Sequence, residues 1–211
     1  MTSNKRQFSK STGRSSGQTL IETIVAIGLL TTGILGGLSL AVYSLNSSDT
    51  ALKQLVATGL AREGIEIVRN ARDTNWKTGT LTDCSADMGA GQFCYTNWLD
   101  GMPGLPGNVK SRTVFTPSAN SWVIDNTGGP NFQLYPGENG TYLYSGSGFN
   151  VYSRRVELDE IITSPFSNNN PMLTIQSVAW WTGKGCPATN NPDSTTCKVT
   201  LVEYLTNWKN Y

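Results

Sequence analysis

Histidine is absent from the 211 residues of this chain. Its absence excludes catalysis of the Ser–His or Cys–His kind and removes a common ligand of zinc sites. A carboxylate pair for glycoside hydrolysis is also not expected, because neighbours such as Asp159 and Glu160 should point to opposite faces of a predicted strand. The sequence therefore predicts no enzyme and no cofactor.

Charge is scarce and unevenly distributed. Charged residues make up 15% of the chain, and residues 1–17 contain four basic residues and no acid. The rest of the chain has 12 basic against 15 acidic residues, so a nucleic-acid-binding surface is not predicted. Basic residues that precede an apolar run are typical of a segment that remains on the cytoplasmic side of a membrane.

No charged residue occurs from Thr23 to Ser48, and all nine prolines follow residue 100. As an α-helix this uncharged run would be about 39 Å long at ~1.5 Å per residue. The hydrocarbon core of a bilayer is about 30 Å thick. We therefore expect residues 18–48 to form a transmembrane helix.

The helical pattern continues past the uncharged run, over residues 49–75. Apolar residues recur at three- and four-residue steps, which is typical of an amphipathic helix. The pairs Arg62–Glu66 and Arg69–Asp73 have the i,i+4 spacing of ion pairs on its polar face. One helix from Thr19 to about Asp73 is predicted. The expected apolar face consists of Leu52, Leu55, Val56, Leu60, Ile67, Val68 and Ala71.

Residues 76–211 are expected to form a head. Residues 76–149 are predicted to contain loops and short extended pieces, since glycine, proline and asparagine interrupt them often. Three strand-like segments follow within residues 150–211, at 150–158, 172–182 and 198–208. The predicted fold class is α+β, with the second half of the helix packed on a C-terminal antiparallel sheet. Trp122, Trp180, Trp181 and Trp208 are expected in the core.

The four cysteines fall into two local pairs, Cys84 with Cys94 and Cys186 with Cys197. Neither pair has the short spacing of a zinc site. Two disulfides in an oxidising compartment are expected, the alternative being four reduced, buried thiols. Asn190, Asn191 and Asp193 between the second pair carry oxygens, but one acid among amides is a weak signal for calcium.

The boundary between leader and helix reads Ser16-Gly17-Gln18-Thr19-Leu20-Ile21-Glu22. Here the sequence resembles the type IV prepilin signal, in which a peptidase cuts after a glycine and a glutamate lies five residues beyond the cut. The resemblance implies cleavage of leader 1–17 by prepilin peptidase. Gln18 would become the methylated N-terminus. It also implies the pilin fold.

The resemblance assigns assembly to Glu22, whose carboxylate would meet the N-terminal ammonium of a neighbouring subunit. A lone carboxylate at the edge of an apolar span costs a few kcal/mol, which such a pair would partly offset. The alternative is that Glu22 only marks the end of the span. The implied partners are other pilin subunits, prepilin peptidase, the inner-membrane assembly machinery and the bilayer.

The family's major pilins tend to have a proline where this chain has Ser39. The glycines at 33, 36 and 37 precede that position. Glycine costs about 1 kcal/mol in a helix relative to alanine, so local melting in a filament is one interpretation. Close approach of neighbouring membrane helices is the other.

Three functions remain open after the sequence. The first is a pilin, major or minor with the minor role favoured. It would be held in the membrane by one span before assembly, then be part of an extracellular filament and serve in adhesion. The second is a type II secretion pseudopilin. The third is a signal-anchored extracellular binding domain that does not polymerise. A simple secretory signal peptide is less suitable, because the apolar run is too long for its central region.

Overall fold

The computed structural model describes residues 16–78, 81–83, 93–95, 98–102, 109–116, 119–127, 131–137, 140–146, 149–163 and 172–207. It contains one long helix followed by short and long antiparallel strands, so the α+β class is confirmed. The chain divides into two compact units, Met1–Thr50 and Ala51–Tyr211.

The helix α1 is continuous from Ser16 to Thr78. The predicted helix from Thr19 to about Asp73 is therefore found with a few more residues at each end. It contains no proline, so nothing in its sequence removes a backbone hydrogen-bond donor from its interior.

Nine strands follow the helix in the part of the chain that the structure describes. β1 and β2 form a separate two-stranded antiparallel sheet, and β3 to β9 form one seven-stranded sheet in which every pairing is antiparallel. The strands are β1 Leu81–Asp83, β2 Phe93–Tyr95, β3 Val109–Thr116, β4 Ser121–Asp125, β5 Gln133–Pro136, β6 Tyr142–Leu143, β7 Tyr152–Ile161, β8 Met172–Trp181 and β9 Lys198–Leu205.

The centre of the large sheet is the pair β7–β8, with ten residue pairs in register from Tyr152↔Trp181 to Ile161↔Met172. β9 pairs with the other side of β8. The three C-terminal strands expected from the sequence are thus present and adjacent. The sheet also takes β3 to β6 from the region in which the sequence predicted loops and short extended pieces.

The amphipathic half of α1 packs on one face of β7 and β8. The face of β7 that carries Val156 and Leu158 meets Ile65 and Val68 of the helix in one buried cluster. A second cluster, nearer the start of this half, joins Ala57 and Leu60 to strand residues such as Trp181. Burial of these side chains is the main stabilising term that connects helix and sheet.

Two residues of the expected apolar face lie elsewhere. Leu52 is 62% exposed and Leu55 is 69% exposed, so neither packs on the sheet. The buried part of the helix begins at Ala57, and Val56 is only partly buried. The sheet contacts the helix from this level onward, and the two leucines precede it.

The opposite face of β7 and β8 is covered in part by a smaller cluster. Trp180 is fully buried there with Val178 and Phe132, and its Nε1 donates a hydrogen bond to the Thr189 carbonyl. Trp180 and Trp181 therefore belong to the core, as expected. Trp122 does not, because 40% of it is exposed on β4. Trp208 lies outside the described residues.

Candidate functional site

The expected processing and assembly residues occupy the start of α1. Gly17 and Gln18 have helical backbone in its first turn, and their side chains lie outside the part that the structure describes. Glu22 follows one turn after Gln18 and is exposed. A rise of ~1.5 Å per residue places it about 6 Å along the axis from Gln18.

The helix around Glu22 is apolar on all sides. Every large apolar side chain from Leu20 to Leu45 that faces outward is at least 47% exposed within the chain. Glu22 is the only charged residue between Thr19 and Ser48. A helix that is apolar around its whole circumference requires an apolar environment, either lipid or other helices.

Several hydroxyl groups of this segment donate hydrogen bonds within the helix. Thr23 donates to the Thr19 and Leu20 carbonyls at 3.1 and 2.9 Å, and Ser39 donates to the Leu35 carbonyl at 2.9 Å. Such back-bonding removes the cost of placing these hydroxyls in lipid. By contrast, the Glu22 carboxylate has no cation near it in sequence, because no basic residue lies between residue 17 and Lys53.

The four glycines at 28, 33, 36 and 37 lie within the continuous helix, and a Cβ added at any of them would meet no atom within 4 Å. Their lack of side chains is therefore not required by contacts inside the chain. Melting at these positions in a filament and close approach of a second helix both remain predictions.

Cys186 and Cys197 are bonded, with Cα atoms 5.7 Å apart. The bond closes the connection between β8 and β9, as the sequence predicted. The loop carries a short 3₁₀ helix, Pro192–Ser194. The Asn191 side chain caps its N-terminus by accepting a hydrogen bond from the Asp193 backbone N–H. The predicted Cys84–Cys94 pair lies outside the described residues and side chains.

The oxygen-rich loop is already occupied by contacts within the chain. The Asp193 carboxylate lies 3.6 Å from Arg155 and 3.8 Å from Lys198. Asn190 Oδ1 accepts a hydrogen bond from Gln133 at 3.4 Å. Cations beside the single acid disfavour a calcium ion in this loop.

Replacing Cys186 and Cys197 together by serine should lower the free energy of unfolding by about 3 kcal/mol, since the bond closes a short loop. For a chain of this size that corresponds to a fall in Tm of about 5–10 °C. Thermal unfolding of the full-length protein in detergent, with and without reductant, measures it. Reductant should lower the Tm of the parent further than that of the double variant, because only the parent still has the Cys186–Cys197 bond to lose. Equal Tm values of parent and variant without reductant would contradict a stabilising role.

Sequence reasoning did not anticipate a buried arginine between helix and sheet. Arg154 is 1% exposed. Its guanidinium lies 3.0 Å from Glu63 and donates to the Leu60 and Thr113 carbonyls at 3.3 and 3.2 Å. Its Nε donates to the Tyr144 hydroxyl, which donates to the Arg154 carbonyl at 2.9 Å.

Burial acts to lower the pKa of Arg154, but the neighbouring Tyr144 and Glu63 raise it more, so the pKa lies above its usual value and the group is charged. The burial of Arg154 could have been inferred from its position in β7, because it shares a strand face with Tyr152 and Val156. A charged residue among the apolar residues of one strand face is expected to be buried, with partners for its charged group. Arg155 points to the other face, where it pairs with Glu157.

Arg69 ties α1 to the last strand. Its guanidinium bonds both carboxylate oxygens of Glu203 on β9, with an Nε contact of 3.1 Å, and also contacts Glu66 at 2.5 Å. The expected Arg69–Asp73 pair is therefore wrong, because Asp73 contacts Arg72 instead. A bidentate contact to the sheet outweighs an exposed pair within the helix.

No family model matches this chain, and no curated protein or solved structure is similar enough to match it. The membrane character of the helix therefore depends on its own residues. By length and composition α1 is able to cross a membrane once, as a span or as a signal anchor. Those criteria are also met by cleavable signal sequences near an N-terminus.

Proposed function

We propose that this chain is a structural subunit of a type IV pilus or pilus-like filament, cleaved by prepilin peptidase after Gly17. The observation that carries the proposal is the placement of one glutamate. Glu22 is the fifth residue after Gly17 and the only charge in an exposed apolar helix of more than twenty residues. Anchoring alone needs no such acid.

Two features of the head are consistent with a pilin fold. The amphipathic half of α1 packs on an antiparallel sheet through Ile65, Val68 and their neighbours. The last two strands form a hairpin closed by Cys186–Cys197. A minor pilin is the role we favour, since the head is large. Abundance of the protein in purified filaments distinguishes it from a major pilin.

The apolar half of α1 has two environments under this proposal. Before assembly it lies in the inner membrane with the head outside the cytoplasm. After assembly it lies among the helices of other subunits in an extracellular filament. A type II secretion pseudopilin uses the same chemistry, and isolation of the protein with secretion or pilus machinery separates the two.

Processing gives the first test. Intact-mass measurement and N-terminal sequencing of the protein from its native host should give a chain that begins at Gln18, with or without an added methyl group. Gly17→Val should leave the precursor uncut and membrane-anchored, because a β-branched side chain obstructs the scissile bond. Gly13→Val, the matched change within the leader, should be cleaved normally.

A chain that begins after Ala41, or one that retains Met1, would contradict this function. Either result would favour the remaining candidate, a signal-peptide or signal-anchored extracellular binding domain. That candidate predicts no dependence of localisation on prepilin peptidase.

A further inference from the structure

A groove lies between the amphipathic half of α1 and strand β4. Its helix wall consists of residues three and four apart, which form one helix face: Ile67, Asn70, Ala71, Thr74 and Asn75. Its other wall includes the five consecutive residues 120–124. Because strand side chains alternate between two faces, consecutive lining residues indicate that the groove meets β4 along its edge.

The outer edge of β4 has no partner among the strands that the structure describes. β4 pairs only with β3, in register from Arg112↔Asp125 to Thr116↔Ser121. Such an edge presents backbone N–H and C=O groups to an incoming chain. The end of the hairpin is held by Asp125, which accepts hydrogen bonds from Thr127 and contacts Arg112 at 2.5 Å.

Trp122 is the apolar centre of this groove. It is 40% exposed and lines both of the neighbouring pockets that make up the groove. The two pockets also share Ile67 and Asn70 of the helix. Phe115 on β3 holds its ring at a centroid distance of 5.3 Å. The two parts of the groove have volumes of about 400 and 380 Å³, and ligand sites span about 300–1,000 Å³.

The groove is negatively charged overall. Glu63, Glu66, Asp73 and Asp100 line it against Arg69. Three of these acids have arginine partners, and Glu203 shares Arg69. When the partners Arg72, Arg154 and Glu203 are included, the groove has five carboxylates and three guanidinium groups. The excess favours a cationic ligand.

We propose that this groove binds an extended, lysine- or arginine-containing peptide segment of a partner protein, which adds as a strand to the edge of β4. Backbone hydrogen bonds supply affinity in this mode, and pockets for alternate side chains supply specificity. Trp122 would cover the aliphatic part of a basic side chain, and its ring face would attract the charge. The inference goes beyond a filament role and does not depend on it.

The test uses the full-length protein in lipid nanodiscs and a blocked heptapeptide of alternating lysine and valine, KVKVKVK. We expect it to bind at least tenfold more tightly than the matched acidic peptide EVEVEVE, and more weakly as salt rises. KVKPKVK should bind at least tenfold more weakly than KVKVKVK, because proline removes a ladder donor. Of the Trp122, Val123 and Ile124 amides, those that point away from β3 should exchange more slowly on binding.

Variants locate the site. Trp122→Ala and Asp100→Lys should each weaken binding of KVKVKVK at least fivefold while the Tm stays within a few degrees of the parent. Asp159→Lys, the same charge change on the sheet face opposite the helix, should leave binding unchanged. Equal binding of the acidic or proline peptide would overturn the proposal. Absence of binding to every peptide, or insensitivity to both groove variants, would do the same.

Discussion

Glu22→Ala should leave membrane insertion and cleavage after Gly17 intact while incorporation into filaments falls at least tenfold. Insertion depends on the apolar run, which the substitution extends. Cleavage depends on residues before the new N-terminus. Assembly is different, because the proposed contact joins the Glu22 carboxylate to the ammonium created at Gln18 of a staggered neighbour.

The expected magnitude follows from the environment. In the proposed membrane or filament, a carboxylate surrounded by apolar side chains such as Leu20, Ile21 and Ile24 would lie in a region of low dielectric, where a charge pair is strong. Losing one partner leaves the other charge buried and unpaired. A loss of ~1.4 kcal/mol already corresponds to a tenfold change in an equilibrium constant.

The measurement is the ratio of sheared extracellular protein to membrane-held protein in a strain that makes pili. Glu22→Gln should behave like alanine, since it keeps size and hydrogen bonding but loses the charge. Glu22→Asp should assemble better than either. Thr23→Ala is the matched control, because the Thr23 hydroxyl bonds only carbonyls of its own helix. If alanine and glutamine variants assemble as well as the parent, Glu22 is a boundary residue and charge pairing is wrong.

Much of the helix could be predicted from sequence because two periodic signals join without a break. An uncharged run of helical length and an amphipathic repeat require the same backbone, and no proline interrupts them. The repeat could not show where contact with the sheet begins. Leu52 and Leu55 fit the period as well as Leu60 does, yet only Leu60 has the sheet beneath it.

The strands β3 and β4 were harder to find for a specific reason. The buried face of β3 carries Ser111 and Thr113, which are 0% and 1% exposed. Small polar residues at core positions erase the alternation of apolar and polar residues on which strand prediction depends. The prediction for Trp122 was wrong in the opposite direction. A large aromatic side chain on a strand was expected in the core, but it lies partly exposed on the edge strand β4.

The N-terminal site differs from both cases. Its residues could be named from sequence because the spacing of Gly17 and Glu22 is local. Its proposed chemistry depends on two other molecules, a peptidase and a neighbouring subunit, and not on contacts within the chain. Arg154 is intermediate, since its strand was predicted but its partners Glu63, Tyr144 and the Leu60 carbonyl are distant from it in sequence.

Gly64 marks a close approach of α1 to the sheet. Gly64 lies over the point where Val156 pairs with Ser111 on one side and Ser177 on the other. A Cβ added at Gly64 would lie 2.5 Å from Ser177 Oγ and 3.0 Å from Val156 Cγ2. Only a residue without a side chain allows the helix to pack at this distance.

Gly64→Val should therefore destabilise the head strongly, because the helix must move away from the sheet and lose contacts on both sides of the crossing. Overpacking typically costs about 1–3 kcal/mol, and a branched side chain at such contact distances should reach at least the upper end. Gly64→Ala should cost less, since its strain is offset by up to about 1 kcal/mol of helix propensity. Chemical unfolding of full-length protein in detergent, followed by tryptophan fluorescence, measures these differences.

Gly59→Ala provides the matched control on the same helix, because a Cβ there meets nothing within 4 Å. It should stabilise the protein by up to about 1 kcal/mol, the gain from helix propensity alone. Ser177→Gly should also suppress part of the effect of Gly64→Ala, since the nearest atom to the new methyl group is removed, and a double-mutant cycle measures that coupling. If Gly64→Val is as stable as the parent, or if Gly59→Ala and Gly64→Ala change stability equally, then the close helix–sheet crossing at Gly64 does not determine the packing of the head.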